Sequence, residues 1–151
     1  MIYKTTASDI PWMVKLSHQK RLDYSMAQEN FWKMAPNSDE LQAKWFESEI
    51  IRDEVIALCA KDSQGFVIGK IVNPPEIYDA GLTLMIDDFC VKSPTLWLSV
   101  GLHLLNEIIS QAKARGVAQI LVVCGSHDLA KLQLLEKLDL SCASKWHTKP
   151  I

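Results

Sequence analysis

The sequence predicts an α/β domain built on a mixed sheet with helices on both faces, and three features carry that expectation. Leu98, Gly101, Leu102, Leu105, Ile108, Ile109 and Ala112 recur at i, i+3, i+4, i+7 spacing, the signature of a long amphipathic helix. Short apolar runs flank it, Leu82 to Val91 before and Gln119 to Cys124 (QILVVC) after. Two β-rich runs, Glu54 to Ala60 (EVIALCA) and Phe66 to Val72 (FVIGKIV), surround the polar connection KDSQG, as a hairpin requires. Strands and helices thus alternate in the second half and the middle is hairpin-like, so a mixed sheet is the economical architecture. The crossover from the Leu82 strand to the Gln119 strand is expected to be right-handed.

Taken in order, Ile2 to Ala7 reads as a short strand. Ser8 and Asp9 offer N-cap oxygens to a helix from Trp12 to about Met26, with Pro11 tolerated in its first turn. A second helix begins near Ser38 or Asp39, where Asp39 and Gln42 resemble a capping box; its apolar face would carry Leu41, Trp45, Phe46 and Ile50. Asn73-Pro74-Pro75 closes the hairpin's second strand, because proline has no ladder donor. The long helix ends with Lys113, Arg115 and Gly116, a basic last turn and a left-handed C-cap. Gln119 to Cys124 is β-branched and apolar, as a strand buried on both faces should be. Ser126 or Asp128 can cap a last helix through Leu138, and Ser141 to Trp146 would return as an edge strand that invites dimerisation.

The chain has 151 residues, enough for one domain over its whole length with a sizeable core. With 48% apolar and 23% charged residues it is globular and not disordered. A net charge of −2 without a basic stripe argues against nucleic-acid binding. The N-terminus lacks a secretory pattern, and no apolar stretch approaches the roughly 20 residues that span a bilayer, so a cytoplasmic protein is expected. Cys59, Cys90, Cys124 and Cys142 are far apart with no C-x-x-C pair, which reads as reduced thiols and offers no zinc site.

Four segments carry a resemblance: Ile86 to Lys92 (IDDFCVK), Ser99 to Leu105 (SVGLHLL), Ala112 to Val123 (AKARGVAQILVV) and Leu135 to Leu140 (LEKLDL). In this order the chain resembles the GNAT superfamily of acyl-CoA-dependent N-acetyltransferases. The resemblance implies a mostly antiparallel central sheet, acetyl-CoA (coenzyme A) as cofactor, and transfer of an acetyl group to a primary amine of a small molecule or peptide. It further implies direct attack in a ternary complex, with a catalytically inactive GNAT-like binding module as the alternative. The family's phosphate loop falls on Leu96, Trp97, Leu98, Ser99, Val100, Gly101 and Leu102, whose amides would face the pyrophosphate. Leu96 stands where the family has Arg or Gln, and a serine replaces one glycine. Phe89, Cys90 and Val91 match the strand whose main chain pairs with pantetheine, and Asp128 matches a cofactor-bonding asparagine. The tyrosine that protonates the leaving thiolate in many members is Leu135 here, or Leu134 in a shifted register.

Asp87 and Asp88 are the candidate catalytic residues. Adjacent carboxylates in a strand point to opposite faces, and one of them needs a partner or a cleft. The resemblance makes Asp88 the general base, on the face it would share with Ile86; the alternative is a loop cap or a pair with Lys92 or Lys70. Asp128 can equally be an N-cap beside an exposed His127. His147 could line an acceptor site or lie on the surface, and His18 and His103 read as structural or exposed. Cys90 and Cys124 end strands near the expected thioester, but no histidine at defined spacing supports a nucleophilic thiol. Tyr24, Glu29, Phe31 and Trp32 lie in the first two helices, which the resemblance makes the acceptor side.

Overall fold

A computed structural model describes residues 1–151. Five strands, β1 (Ile2–Lys4), β2 (Val55–Ala60), β3 (Gly65–Val72), β4 (Thr83–Val91) and β5 (Gln119–Val122), form one sheet in sequence order. All neighbours are antiparallel except β4 and β5, which are parallel and joined through a helix. Helices α1 (Ile10–Ala27) and α2 (Ser38–Glu49) cover one face; α3 (Leu102–Ala114) and α4 (Leu129–Lys137) cover the other. The mixed, mostly antiparallel sheet between helix layers is the architecture the sequence predicts. No helix is long and apolar enough to cross a membrane.

Strand alternation divides the core in two. Ile56, Leu58, Val67, Leu84, Ile86 and Phe89 pack against Leu104, Leu105, Ile108 and Leu134 on the α3–α4 side. Ala57, Cys59, Phe66, Ile68 and Cys90 face Ile10, Met13 and Phe46 on the α1–α2 side. There Phe46 and Phe66, both fully buried, meet edge to face at 5.5 Å, a geometry worth about 0.5–1.5 kcal/mol beyond its buried area.

Several expectations need correction. Gln119 to Val122 is an edge strand with alternate residues exposed, because nothing pairs beyond it; it is not buried on both faces. Ser141 to Trp146 forms no strand, and the residues after Leu138 are largely exposed, so the edge proposed for dimerisation is absent. Asp39 and Gln42 do not form a capping box: Asn37 is the N-cap of α2, and no side chain caps it. Asp39 instead pairs with His18 and Arg21 of α1, and Gln42 reaches Arg21 and Asp88. Leu41, assigned to the apolar face, is half exposed, whereas Glu49 is buried there.

The helix after β4 starts early. Ser93 is the N-cap of a 3₁₀ turn, Pro94–Leu96, and a π-helical turn, Trp97–Gly101, then leads directly into α3. At its far end Gly116 takes φ 80°, the left-handed C-cap the sequence predicts.

Candidate active site

The β4–β5 ladder runs only from Thr83 opposite Gln119 to Ile86 opposite Val122, with one more bond from the Val123 N–H to the Ile86 carbonyl at 2.9 Å. On its other side β4 stays paired with β3 as far as Val91. The main chain from Asp87 to Val91 therefore has no strand on its β5 side. Phe89 turns its carbonyl to that side, and strand alternation puts the Val91 main chain there as well.

A β-bulge lies at the start of this stretch. Ile68 pairs with Asp88 and Gly69 with Ile86, so Asp87 is an extra residue without a β3 partner. The bulge reverses the facing of the residues beyond it: Ile86 and Phe89 lie on the α3–α4 side, and Asp88 lies with Cys90 on the α1–α2 side. The face that plain alternation would have Asp88 share with Ile86 is thus wrong.

Asp88 is 5% exposed and fully engaged. Its Oδ1 accepts from Lys20 Nζ of α1 at 2.8 Å, its Oδ2 from Gln42 Nε2 of α2 at 3.2 Å, and Cys90 Sγ approaches at 3.5 Å. Neither Lys92 nor Lys70 is the partner. Burial alone would push Lys20 down, but the adjacent Asp88 carboxylate outweighs it and holds Lys20 well above the usual lysine range. Asp87 is exposed and makes no side-chain ion pair; partial desolvation and then the neighbouring Asp88 charge raise its pKa. Of the two carboxylates, only Asp87 is unpaired. Burial pushes Cys90 up to about 12 and Cys124 to about 11, which keeps both as thiols and gives no nucleophilic thiolate.

The segment expected to cradle phosphate is helical throughout. The N–H groups of Leu96, Trp97 and Leu102 already donate within the turn, to Ser93, Pro94 and Trp97 carbonyls in that order. Gly101 is buried, and a Cβ there would stand 2.8 Å from the Trp97 ring and 3.2 Å from Leu134. Packing of this turn against Trp97 and α4 is thus enough to require glycine here. Trp97 is itself core, edge to face with Phe89 at 4.8 Å. Leu98 and Ser99 are exposed, and Leu96, Val100 and Leu102 half-buried. The group therefore fits this chain unevenly: the free β4 edge suits an extended amide arm, while the turn offers a pyrophosphate fewer amides than expected.

Asp128 is the N-cap of α4, accepting from the Lys131 N–H at 3.4 Å, and its other oxygen accepts from Tyr24 Oη at 3.4 Å. The same Tyr24 oxygen accepts from the Gly125 N–H at 3.1 Å, which ties α1 to the end of β5. His127 is not exposed but packs edge-on against Tyr24 at 4.5 Å and near Trp32 at 5.8 Å. Trp32, Phe31 and Trp146 extend these rings outward. His18 is bound to Asp39, and His103 and His147 are exposed.

Sequence reasoning overlooked two cations. Lys20 follows Ile10, Met13 and Ser17 along the buried stripe of α1. Lys131, 1% exposed, lies on the buried face of α4 with Leu134 and Leu135; a lysine on that apolar face was the available signal. Two concavities, of ≈ 250 Å³ under α3 and β5 near Ile109 and Ile120 and of ≈ 540 Å³ beside Ser25 and Lys33, lie away from these residues.

A mixed sheet whose parallel strands cease pairing midway, between two helix layers, defines the class of fold. No family model matches the chain, and neither does any curated protein. Solved structures do. A mutant of a Bacillus halodurans protein superposes with TM-score 0.87 at 16% identity, covering 100% of this chain and 99% of that one. A predicted acetyltransferase from Clostridium acetobutylicum, with acetyl-CoA, gives 0.72 at 13%, covering 99% and 95%. Glucosamine-6-phosphate N-acetyltransferase from Arabidopsis thaliana gives 0.67 at 17%, covering 99% and 97%. The chain has the fold of the GNAT acetyltransferases.

Proposed function

We propose that the protein is an acetyl-CoA-dependent N-acetyltransferase that moves an acetyl group to a primary amine of a small molecule or peptide by direct attack in a ternary complex. The observation that carries this reading is the edge of β4 beyond Ile86, unpaired on its β5 side, where the main-chain groups of Phe89 and Val91 face no strand. On the fold of the acetyltransferases, one neighbour of which holds acetyl-CoA, such an edge suits the amide-rich arm of the cofactor. When bound, acetyl-CoA supplies the activated thioester. Phe89 and Val91 align the arm through main-chain bonds, with Cys90 between them turned to β3, and the exposed surface of Leu98 and Ser99, with Leu96, Val100 and Leu102 beside it, forms the floor for the phosphates.

Asp87 takes the proton from the acceptor ammonium, because it is the unpaired carboxylate and its raised pKa makes it the better base. Asp88 acts through position: clamped by Lys20 and Gln42, it fixes the strand from which Asp87 bulges. Asp128 holds the end of α4 and Tyr24, and so contributes to the cofactor side by placement.

Leu134 and Leu135 are buried in the core and supply no proton, which favours the second reading of a CoA-binding module without turnover. Calorimetry with acetyl-CoA followed by thiol release over a panel of amines tests both readings. The enzyme reading expects binding, turnover with at least one amine, and a loss of about 10²–10⁴ in kcat for Asp87→Asn. Binding without turnover over the panel leaves the module, and absence of heat at millimolar acetyl-CoA sinks both.

A further inference from the structure

Lys131 is the one fully buried cation with no ion pair. Its Nζ donates to the Val123 carbonyl at 3.0 Å and, at the limit of a hydrogen bond, to the Phe89 carbonyl at 3.5 Å. It thus lies where the β4–β5 ladder stops, bridging the stretch of β4 beyond its last β5 pair to the end of β5. The Phe89 and Trp97 rings lie 5.4 and 5.5 Å from it and favour a cation. An ammonium has three N–H donors, so one is left without a partner. Burial, and then the Lys20 charge, push Lys131 below the usual lysine range, and the groups facing it do not cancel its charge. Lys20 of α1 is already neutralised by Asp88 of β4, Cys90 and Cys124 stay protonated, and Asp128 is committed to Tyr24 and the α4 cap. A buried cation with a free donor and no counter-charge is a site for an anion.

We propose that Lys131 holds the sulfur anion released from acetyl-CoA, stabilising the leaving thiolate by a charge-assisted hydrogen bond. This rests on the acetyltransferase reading and gives that site a residue for its leaving group. The acceptor nitrogen bonds to the thioester carbonyl carbon, the C–S bond breaks, and its electron pair departs on sulfur. Asp87, exposed to solvent, takes the first proton from the ammonium and passes it to water, then takes the second as the C–N bond forms, and Lys131 keeps its own. The thiolate thereby supplies the counter-charge that Lys131 lacks.

The test titrates the thiol of bound CoA by thiolate ultraviolet absorbance, in a Cys142→Ser background that removes the exposed protein thiol. The expected thiol in the otherwise unchanged protein ionises at least tenfold more readily than free CoA. In Lys131→Met that gain is lost, and in Lys131→Arg, which keeps the charge, it is retained in part. Methionine fills the same apolar site without a charge, and circular dichroism confirms the fold of both variants. Equal titration with lysine and methionine at 131 overturns the proposal, while acetyl-CoA binding in both proteins leaves the acetyltransferase reading standing. An acetyl group found on Lys131 by mass spectrometry after incubation with acetyl-CoA also overturns it, because the amine would then be an acceptor. Failure of both acetyl-CoA and CoA to bind overturns the two readings together.

Discussion

Removing one partner of the Lys20–Asp88 pair tests the buried electrostatics of the site most directly. The pair is 2.8 Å long, with side-chain exposures of 21% and 8%. Breaking a buried pair by deleting one partner costs about 3–5 kcal/mol, because the other charge stays desolvated. In Asp88→Ala the residual exposure of Lys20 lets water screen its ammonium, so the low end, about 3 kcal/mol, is expected. Lys20→Met leaves the less exposed Asp88 with only the neutral partners Gln42 and Cys90, so its loss should be at least as large. The double variant Lys20→Met/Asp88→Leu removes both charges and should lose less than about 1 kcal/mol, since apolar replacements of such pairs are often neutral. Urea denaturation reads this out: with a slope of about 2 kcal/mol/M, each single variant shifts the midpoint down by about 1.5 M. The sign of the pH dependence comes from Lys20, whose folded pKa is raised. Its stabilisation is complete below the unfolded value of about 10.4 and is lost only as pH rises through the higher folded value, so the losses should be equal at pH 6 and pH 9. Single-variant losses below about 1 kcal/mol, or a double variant as unstable as the two singles combined, would refute a coupled buried pair.

Two further changes separate packing from chemistry. Gly101→Ala puts a Cβ 2.8 Å from the Trp97 ring and should cost about 1–3 kcal/mol, lowering Tm by a few degrees; unchanged Tm with weakened CoA binding would restore a phosphate-contact role for this glycine. Asp87 has a raised folded pKa, so its proton is held more tightly in the native state, and ionising it there opposes folding. Asp87→Asn should therefore be more stable than the parent near neutral pH, with the difference vanishing below about pH 3.9; urea midpoints from pH 3.5 to 7 check this.

The features that periodicity governs were legible in the sequence. Of the predicted helix face, Gly101, Leu105, Ile108 and Ala112 are buried and Leu102 and Ile109 half-buried, but Leu98 is exposed and Leu104, which the face left out, is buried; the hairpin and both flanking strands lie within a residue or two of their expected limits. Where burial needs a third dimension the sequence was silent. The run QILVVC is as apolar as a central strand, yet whether a strand has one neighbour or two depends on which other segments reach the sheet. Nothing pairs outside β5 because the chain after Leu138, with Trp146 as its one aromatic residue, stays exposed. The start of the helix was a contest between Ser93-Pro94 and the family register, and local stereochemistry prevailed: an extended Ser93 followed by proline begins a turn at once.

The candidate site was less legible, and one residue accounts for most of the difference. Without a bulge, IDDF alternates, and Asp88 falls on the face of Ile86. With Asp87 as the extra residue, Asp88 turns toward α1 and meets Lys20, Phe89 turns toward α3 and α4, and its carbonyl comes within reach of Lys131. The same shift leaves Asp87 unpaired and exposed beside the free edge of β4. A neutralised pair thus lies on one side of the strand and an uncompensated cation on the other, with a free carboxylate just before them on the strand. Each charge alone reads as a buried liability or a surface residue. Only the bulge, which no residue type in IDDF announces, separates the neutralised pair on one face of β4 from the buried cation of α4 on the other and leaves Asp87 free at the edge.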